Sequence, residues 1–183
     1  SDPLPTKADK IIVIRRNVDG DGDLTEFDKT GSADGTGDGT WTEVDDLVTV
    51  VSDGDTTYNQ APTADGPKVQ HSTAEAHGLN ADDVLLGVIH SAHFREVDGT
   101  GSQLQLTASV SGTLVTLPVT APGTTFQHWL SQVLDAQPNG SAWTTAAFDL
   151  LQIGMRKSTA GTHRWRYSAD MAEIIFRRPA AAV

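Results

Sequence analysis

Residues 41–58, WTEVDDLVTVVSDGDTTY, enclose an apolar run between two acidic turns and close on a Thr-Thr-Tyr segment. Leu47, Val48, Val50 and Val51 are mostly β-branched, and such side chains lose rotamer freedom in a helix but fit a pleated surface well. No helical stripe fits them, so the spacing predicts strands over 46–52 and 55–60 that turn at Asp53-Gly54. The same organisation recurs as far as Phe176.

Residues 11–14 form a compact β-branched run ahead of Arg15 and Arg16, which predicts a first strand. Further strands are expected over 82–96, 102–110, 113–119, 124–136 and 161–177. Turns fall at Asp65-Gly66, Asp98-Gly99, Ser111-Gly112, Pro122-Gly123 and Asn139-Gly140. Leu104, Leu106, Ala108 and Val110 alternate with Gln105, Thr107 and Ser109, the pattern of a strand with one wet face. Residues 114–119 return across the Ser-Gly turn as a hairpin. Residues 144–153 alone have helical character, with Ala146, Ala147, Leu150 and Leu151 on one side. Many short strands with little helix predict an all-β fold, an antiparallel β-sandwich or jelly roll with one short helix or helical turn.

Length permits one domain of this kind with a real core. Residues 1–10 are polar and carry prolines, and read as an extended N-terminal arm ordered only by packing on something else. The β-sandwich domain is expected over 11–178, including an Asp/Gly-rich loop at 17–40, and 179–183 as a flexible tail. A formal net charge of −11 opposes phosphate-backbone binding, which needs a basic patch to release counterions, so no nucleic-acid partner is expected. There are no cysteines, which removes disulfides, thiolate metal sites and a cysteine nucleophile. The opening residues lack an apolar signal core and no window nears eighteen apolar residues, so neither signal-led secretion nor a membrane span is expected. A protein of this kind working outside a cell would leave by another route, such as lysis.

Trp41-Thr42, the acidic turn and strand SDGDTTY at 52–58, GSAWT at 140–144, LLQIG at 150–154 and the closing strand MAEIIF at 171–176 stand in an order that resembles a group of tailed-bacteriophage virion proteins with a concanavalin-like or jelly-roll β-sandwich. The resemblance covers residues 40–177, and Asn59-Gln60 stand where the pattern more often continues with an apolar residue. It implies a structural or decorating part of a virus particle, located in the virion, on head, tail or fibre. Self-association into a homo-oligomer, with a trimer as the first arrangement by architectural analogy, and contacts with other virion proteins go with it.

The sharpest local motif is NVDGDGDLTEFD at residues 17–28, which follows the spacing of a calcium loop. Asn17, Asp19 and Asp21 stand at the first, third and fifth places, Gly22 at the sixth, and Asp23 would offer its backbone carbonyl. Asp28 stands twelfth, where a longer Glu normally reaches the ion with both oxygens, and a strand rather than a helix leads in. The loop is similar to EF-hand and dockerin loops, with calcium as the implied ion. The alternative is a solvated acidic turn whose Asp residues simply favour turn conformations.

Among six histidines, His90 and His93 lie three apart on an expected strand and so face opposite sides. His71 and His77 fall in an expected polar loop, and His128 and His163 stand alone, so no zinc set has ligand spacing. No Gly-x-Ser-x-Gly elbow is present. The acidic pairs Glu96 with Asp98 and Asp45 with Asp46 adjoin turns and read as solvated rather than as glycosidase carboxylates facing across a cleft. No catalytic residues are therefore assigned and enzymatic turnover is not expected. Trp41, Trp129, Trp143 and Trp165 lie in or beside strands with apolar neighbours and are expected to fill the core or an interface. Sugar-ring stacking by the same tryptophans would instead make the chain a glycan-binding, lectin-like module or a receptor-binding fibre domain. In HRWRY, 163–167, the aromatics share one face and the arginines the other, where they would meet acidic loops of a neighbouring copy.

Overall fold

The computed structural model describes residues 9–19, 58–61, 68–74, 78–98, 104–118, 123–157 and 164–179. The strand expected at 46–52, residues 55–57 of the strand expected at 55–60, and Trp41 lie outside the described residues. Within them the chain is all-β with one short helix. Nine strands are present: β1 Asp9–Asp19, β2 Asn59–Ala61, β3 Lys68–Ala74, β4 Val84–Glu96, β5 Leu104–Val110, β6 Thr113–Pro118, β7 Gln127–Leu130, β8 Leu151–Lys157 and β9 Trp165–Arg177. The helix, α1, is Thr145–Phe148. Every strand pairing is antiparallel, in the order β6-β5-β8-β3-β1-β9-β4-β7, with β2 on β9.

β1 joins the two halves of this path. Asp9 through Arg15 pair with Arg177 through Met171 of β9, whereas Arg16, Val18 and Asp19 pair with β3, with a register shift between Arg16 and Val18. Such an irregularity bends a strand and sharpens its twist, which lets one strand serve two neighbours. β3 and β1 separate β8 from β9 along the path, yet Leu151, Ile153 and Met155 of β8 share a single apolar core with Trp165, Tyr167, Ile174 and Phe176 of β9. A flat sheet would hold these rows about 14 Å apart, at the spacing of adjacent strands. The sheet therefore curls around its core.

The longest strands are built by alternation. On β4, Val88, Ala92 and Phe94 point into the core, opposite Ile174 for Val88 and Tyr167 for Phe94 on β9. β5 and β6 meet at Ser111-Gly112, both with positive φ, the two-residue hairpin expected of a Ser-Gly turn. On β5, however, both faces are buried. Thr107 and Ser109 are covered as completely as Leu106 and Ala108, so the expected wet face is not there. Their side chains are short and each sits between flanking strands, Thr107 between Thr116 of β6 and Gly154 of β8.

Three further expectations change. The expected strand 124–136 shrinks to the four residues of β7, continued only by a bridge from Leu134 to Val88. The helical stripe of 144–153 yields one turn, after which Leu151, Ile153 and Met155 alternate inward along β8. His71, expected in a loop, lies within β3 opposite Gly154 of β8. That strand carries little apolar pattern of its own, and pairing on both sides, by β1 and β8, overrides local propensity.

The Ala-Trp-Thr segment acquires a physical role. Trp143 is buried and its indole Nε1 donates to the Leu134 carbonyl at 2.8 Å. Next to it, Thr144 caps α1 by accepting from the Ala147 N–H at 3.0 Å. Upstream, Gly140 takes a positive φ in a turn closed by its N–H to the Gln137 carbonyl. One element thus seals the end of the core and ties the segment after β7 to it.

Gly87 marks where that segment runs antiparallel against β4, next to the Val88–Leu134 bridge. A Cβ there would sit 2.5 Å from Val133 Cγ1 and 3.3 Å from the Leu134 carbonyl oxygen. Gly87→Ala is expected to destabilise the fold by about 1–3 kcal/mol, the usual range for overpacking. Because Val133 is largely exposed, a second change, Val133→Ala, should recover part of that loss. Urea unfolding of both single variants and the double variant measures the coupling.

Candidate functional site

The expected calcium loop is described only at its start. Asn17 and Asp19 close β1, where Asp19 pairs with Ser72 of β3, and Asp21, Asp23 and Asp28 lie outside the described residues. Among the described residues no group of three or more His, Asp or Glu side chains is placed to hold a metal ion.

The aromatic candidates divide by burial. Trp143 and Trp165 are 5% and 1% exposed and belong to the core, and Tyr58 and Tyr167 are likewise buried. Trp129, on β7, is partly buried against Phe94, with ring centroids 5.6 Å apart. The alternation in the 164–167 stretch is as expected, Trp165 and Tyr167 inward and Arg164 and Arg166 less buried. Both arginines are engaged within their own chain. Arg164 forms a two-pronged ion pair with Asp98 at 2.6 and 2.7 Å, and this hydrogen bond raises its pKa. Arg166 donates to Gln60 at 2.8 Å and lies 4.1 Å from the centre of the Tyr58 ring.

The Glu96–Asp98 pair does not share one environment. Asp98 is exposed on its ion pair, whereas Glu96, expected to be solvated, is fully buried opposite Trp165. A cleft spanned by the two carboxylates is not formed by this arrangement.

Among the described residues, the richest polar arrangement lies on the face of β9, β4 and β7 turned away from the core. Alternation carries Ser91, His93 and Arg95 to this face of β4, while His90 is buried on the other. Register then sets His128 of β7 directly opposite His93. Ser91 Oγ donates to Glu173 of β9 at 2.9 Å, and His93 Nδ1 lies 3.1 Å from Ser168 Oγ. The His93 ring stacks on Phe126 at 5.0 Å, and the Arg95 guanidinium sits 5.3 Å from the same ring while reaching the Thr124 carbonyl. The Ser168–His93 contact is the nearest approach to a nucleophile–base pair on this face, but Ser168 is 0% exposed, which denies a substrate access to its hydroxyl. The sequence placed His128 alone because no local spacing connects it to His93. Only the β4–β7 register does.

Partial burial lowers the pKa of His128, opposed by the nearby Glu173 carboxylate, which raises it. A histidine whose folded pKa is depressed contributes full stability above its unfolded value near 6.5 and loses it as pH falls through that value toward the folded pKa. In an NMR titration His128 should show a midpoint below 6.5, and Glu173→Gln should move it lower still. A midpoint above the ordinary value would contradict this environment.

Apolar side chains are also presented to solvent near the ends of the sheet path. Leu130, on the terminal strand β7, is 57% exposed and Val133 just beyond it 47%, with Leu114 exposed on the opposite terminal strand β6. No protein family matches the chain, and no curated protein matches it.

Proposed function

We propose that the chain is a structural component of a bacteriophage virion, a capsid decoration, head fibre or tail-appendage protein. In this reading the curled sheet is a β-sandwich of the jelly-roll or concanavalin-like kind, used as a rigid body without turnover. It acts by binding copies of itself and other particle proteins, and Asn17, Asp19, Asp21, Asp23 and Asp28 clip the loop after β1 with calcium.

The observation that carries this reading is the distribution of apolar surface. The large aromatics Trp143, Trp165, Tyr58 and Tyr167 are withdrawn into the interior, while Leu130 and Val133 are left exposed beside a terminal strand. Terminal strands with exposed apolar neighbours are the usual sites of pairing between chains. A glycan-binding module needs aromatic faces at its surface, and these four residues do not offer them. Electron microscopy of whole particles of the encoding phage tests the proposal. Symmetric density for copies of this chain on the particle is expected, and purified particles free of the chain would refute it.

A further inference from the structure

His93 and His128 are directly paired residues on neighbouring antiparallel strands and so project from the same face. The Cβ atoms of such a pair lie about 4.5–5.5 Å apart. Two imidazoles at that separation can close on one ion at the Zn–N distance of about 2.0–2.1 Å. We propose that the cross-strand pair His93–His128 is a two-histidine site for a divalent transition metal of the imidazole-preferring class, such as nickel, copper or zinc, with water completing the coordination.

Three features of the surroundings fit a ligand role. First, buried Ser168 lies 3.1 Å from His93 Nδ1. With that nitrogen protonated and donating to the hydroxyl, the lone pair is on Nε2, the arrangement by which an outer hydrogen bond fixes the tautomer of a metal-binding histidine. Second, the stack of His93 on Phe126, at an interplanar angle of 25°, holds the ring plane and limits what ordering costs on binding. Third, the Glu173 carboxylate, which accepts from Ser91 Oγ at 2.9 Å, places negative charge on the same face. With two protein ligands the site is weak and open, unlike the four-ligand structural zinc sites that hold a fold together.

This site is independent of the calcium loop. Imidazole nitrogen selects borderline metals, whereas calcium takes oxygen ligands. The test is calorimetric titration of the chain with nickel alone, repeated on His128→Gln and Ser168→Ala and with calcium in excess. One ion per chain is expected, with affinity at least about ten-fold weaker in His128→Gln and roughly ten-fold weaker in Ser168→Ala, the range for outer hydrogen-bond partners of a ligand. Calcium should leave the titration unchanged. Because His128 is exposed, its replacement leaves the fold intact, and an unchanged circular dichroism spectrum checks this. No binding by the unaltered chain, or equal binding by His128→Gln, would overturn the proposal, and the latter would place the ion on other histidines. Presence or absence of the chain in phage particles has no bearing on either result.

Discussion

Replacing Trp143 with alanine destabilises the chain by about 3–5 kcal/mol, the range for removing a large buried aromatic. The indole belongs to the same apolar core as Phe148 and Ala147 and also holds the Leu134 carbonyl through Nε1 at 2.8 Å. Alanine forfeits both the packing and the hydrogen bond. Phenylalanine keeps most of the packing and removes the indole donor, while the Leu134 carbonyl still accepts from the Val88 N–H at 3.0 Å, so the cost is about 0.5–1.5 kcal/mol. The difference between the two variants in chemical denaturation separates volume from hydrogen bonding. For a chain of this size the alanine variant should melt roughly 6–20 °C below the parent. Equal, small losses for both would mean that Trp143 does not seal the core.

Trp165→Ala has an effect of similar size, about 3–5 kcal/mol, and for a different reason. Trp165 opens β9 where that strand is flanked on one side by β2 and on the other by β4, opposite Ala61 and Glu96. Its ring meets the edge of Phe94 at 6.3 Å, and Phe94 in turn stacks on Trp129, so truncation loosens an aromatic row that spans three strands. The same substitution distinguishes two roles for tryptophan. In a core it lowers stability, whereas on a sugar-binding face it would leave stability unchanged and abolish glycan retention. Thermal melting and a glycan-column assay on the same preparation read both, and loss of retention at constant melting temperature would contradict the interior role.

Local rules made much of this fold legible and failed where pairing alone decides. The β5–β6 hairpin and the long strands β4 and β9 follow from alternation and a Ser-Gly turn, which act over a few residues. β3, KVQHSTA, has too little apolar pattern to announce itself and exists because β1 and β8 offer ladders on either side. β8 was hidden by Ala146, Ala147, Leu150 and Leu151, which imitate a helical stripe although only one turn forms. On β5, alternation identified the inward residues correctly but not the burial of Thr107 and Ser109 between their neighbours. The role of Trp143-Thr144 was visible as a motif, while its physics, a core seal followed by a helix cap, required the geometry. His93 and His128 were each visible as histidines, and nothing in the chain between them signals that β4 and β7 set them side by side.

In the proposed reading, a body with Trp143, Trp165, Tyr58 and Tyr167 inside and Leu130 and Val133 outside beside a terminal strand has its use in what it touches. Mass measurement of the chain under native conditions, across a range of concentrations, tests this most directly. A closed oligomer at a fixed multiple of 19.4 kDa, dispersed by Leu130→Lys together with Val133→Lys, is the predicted result. A species of 19.4 kDa at every concentration would contradict it.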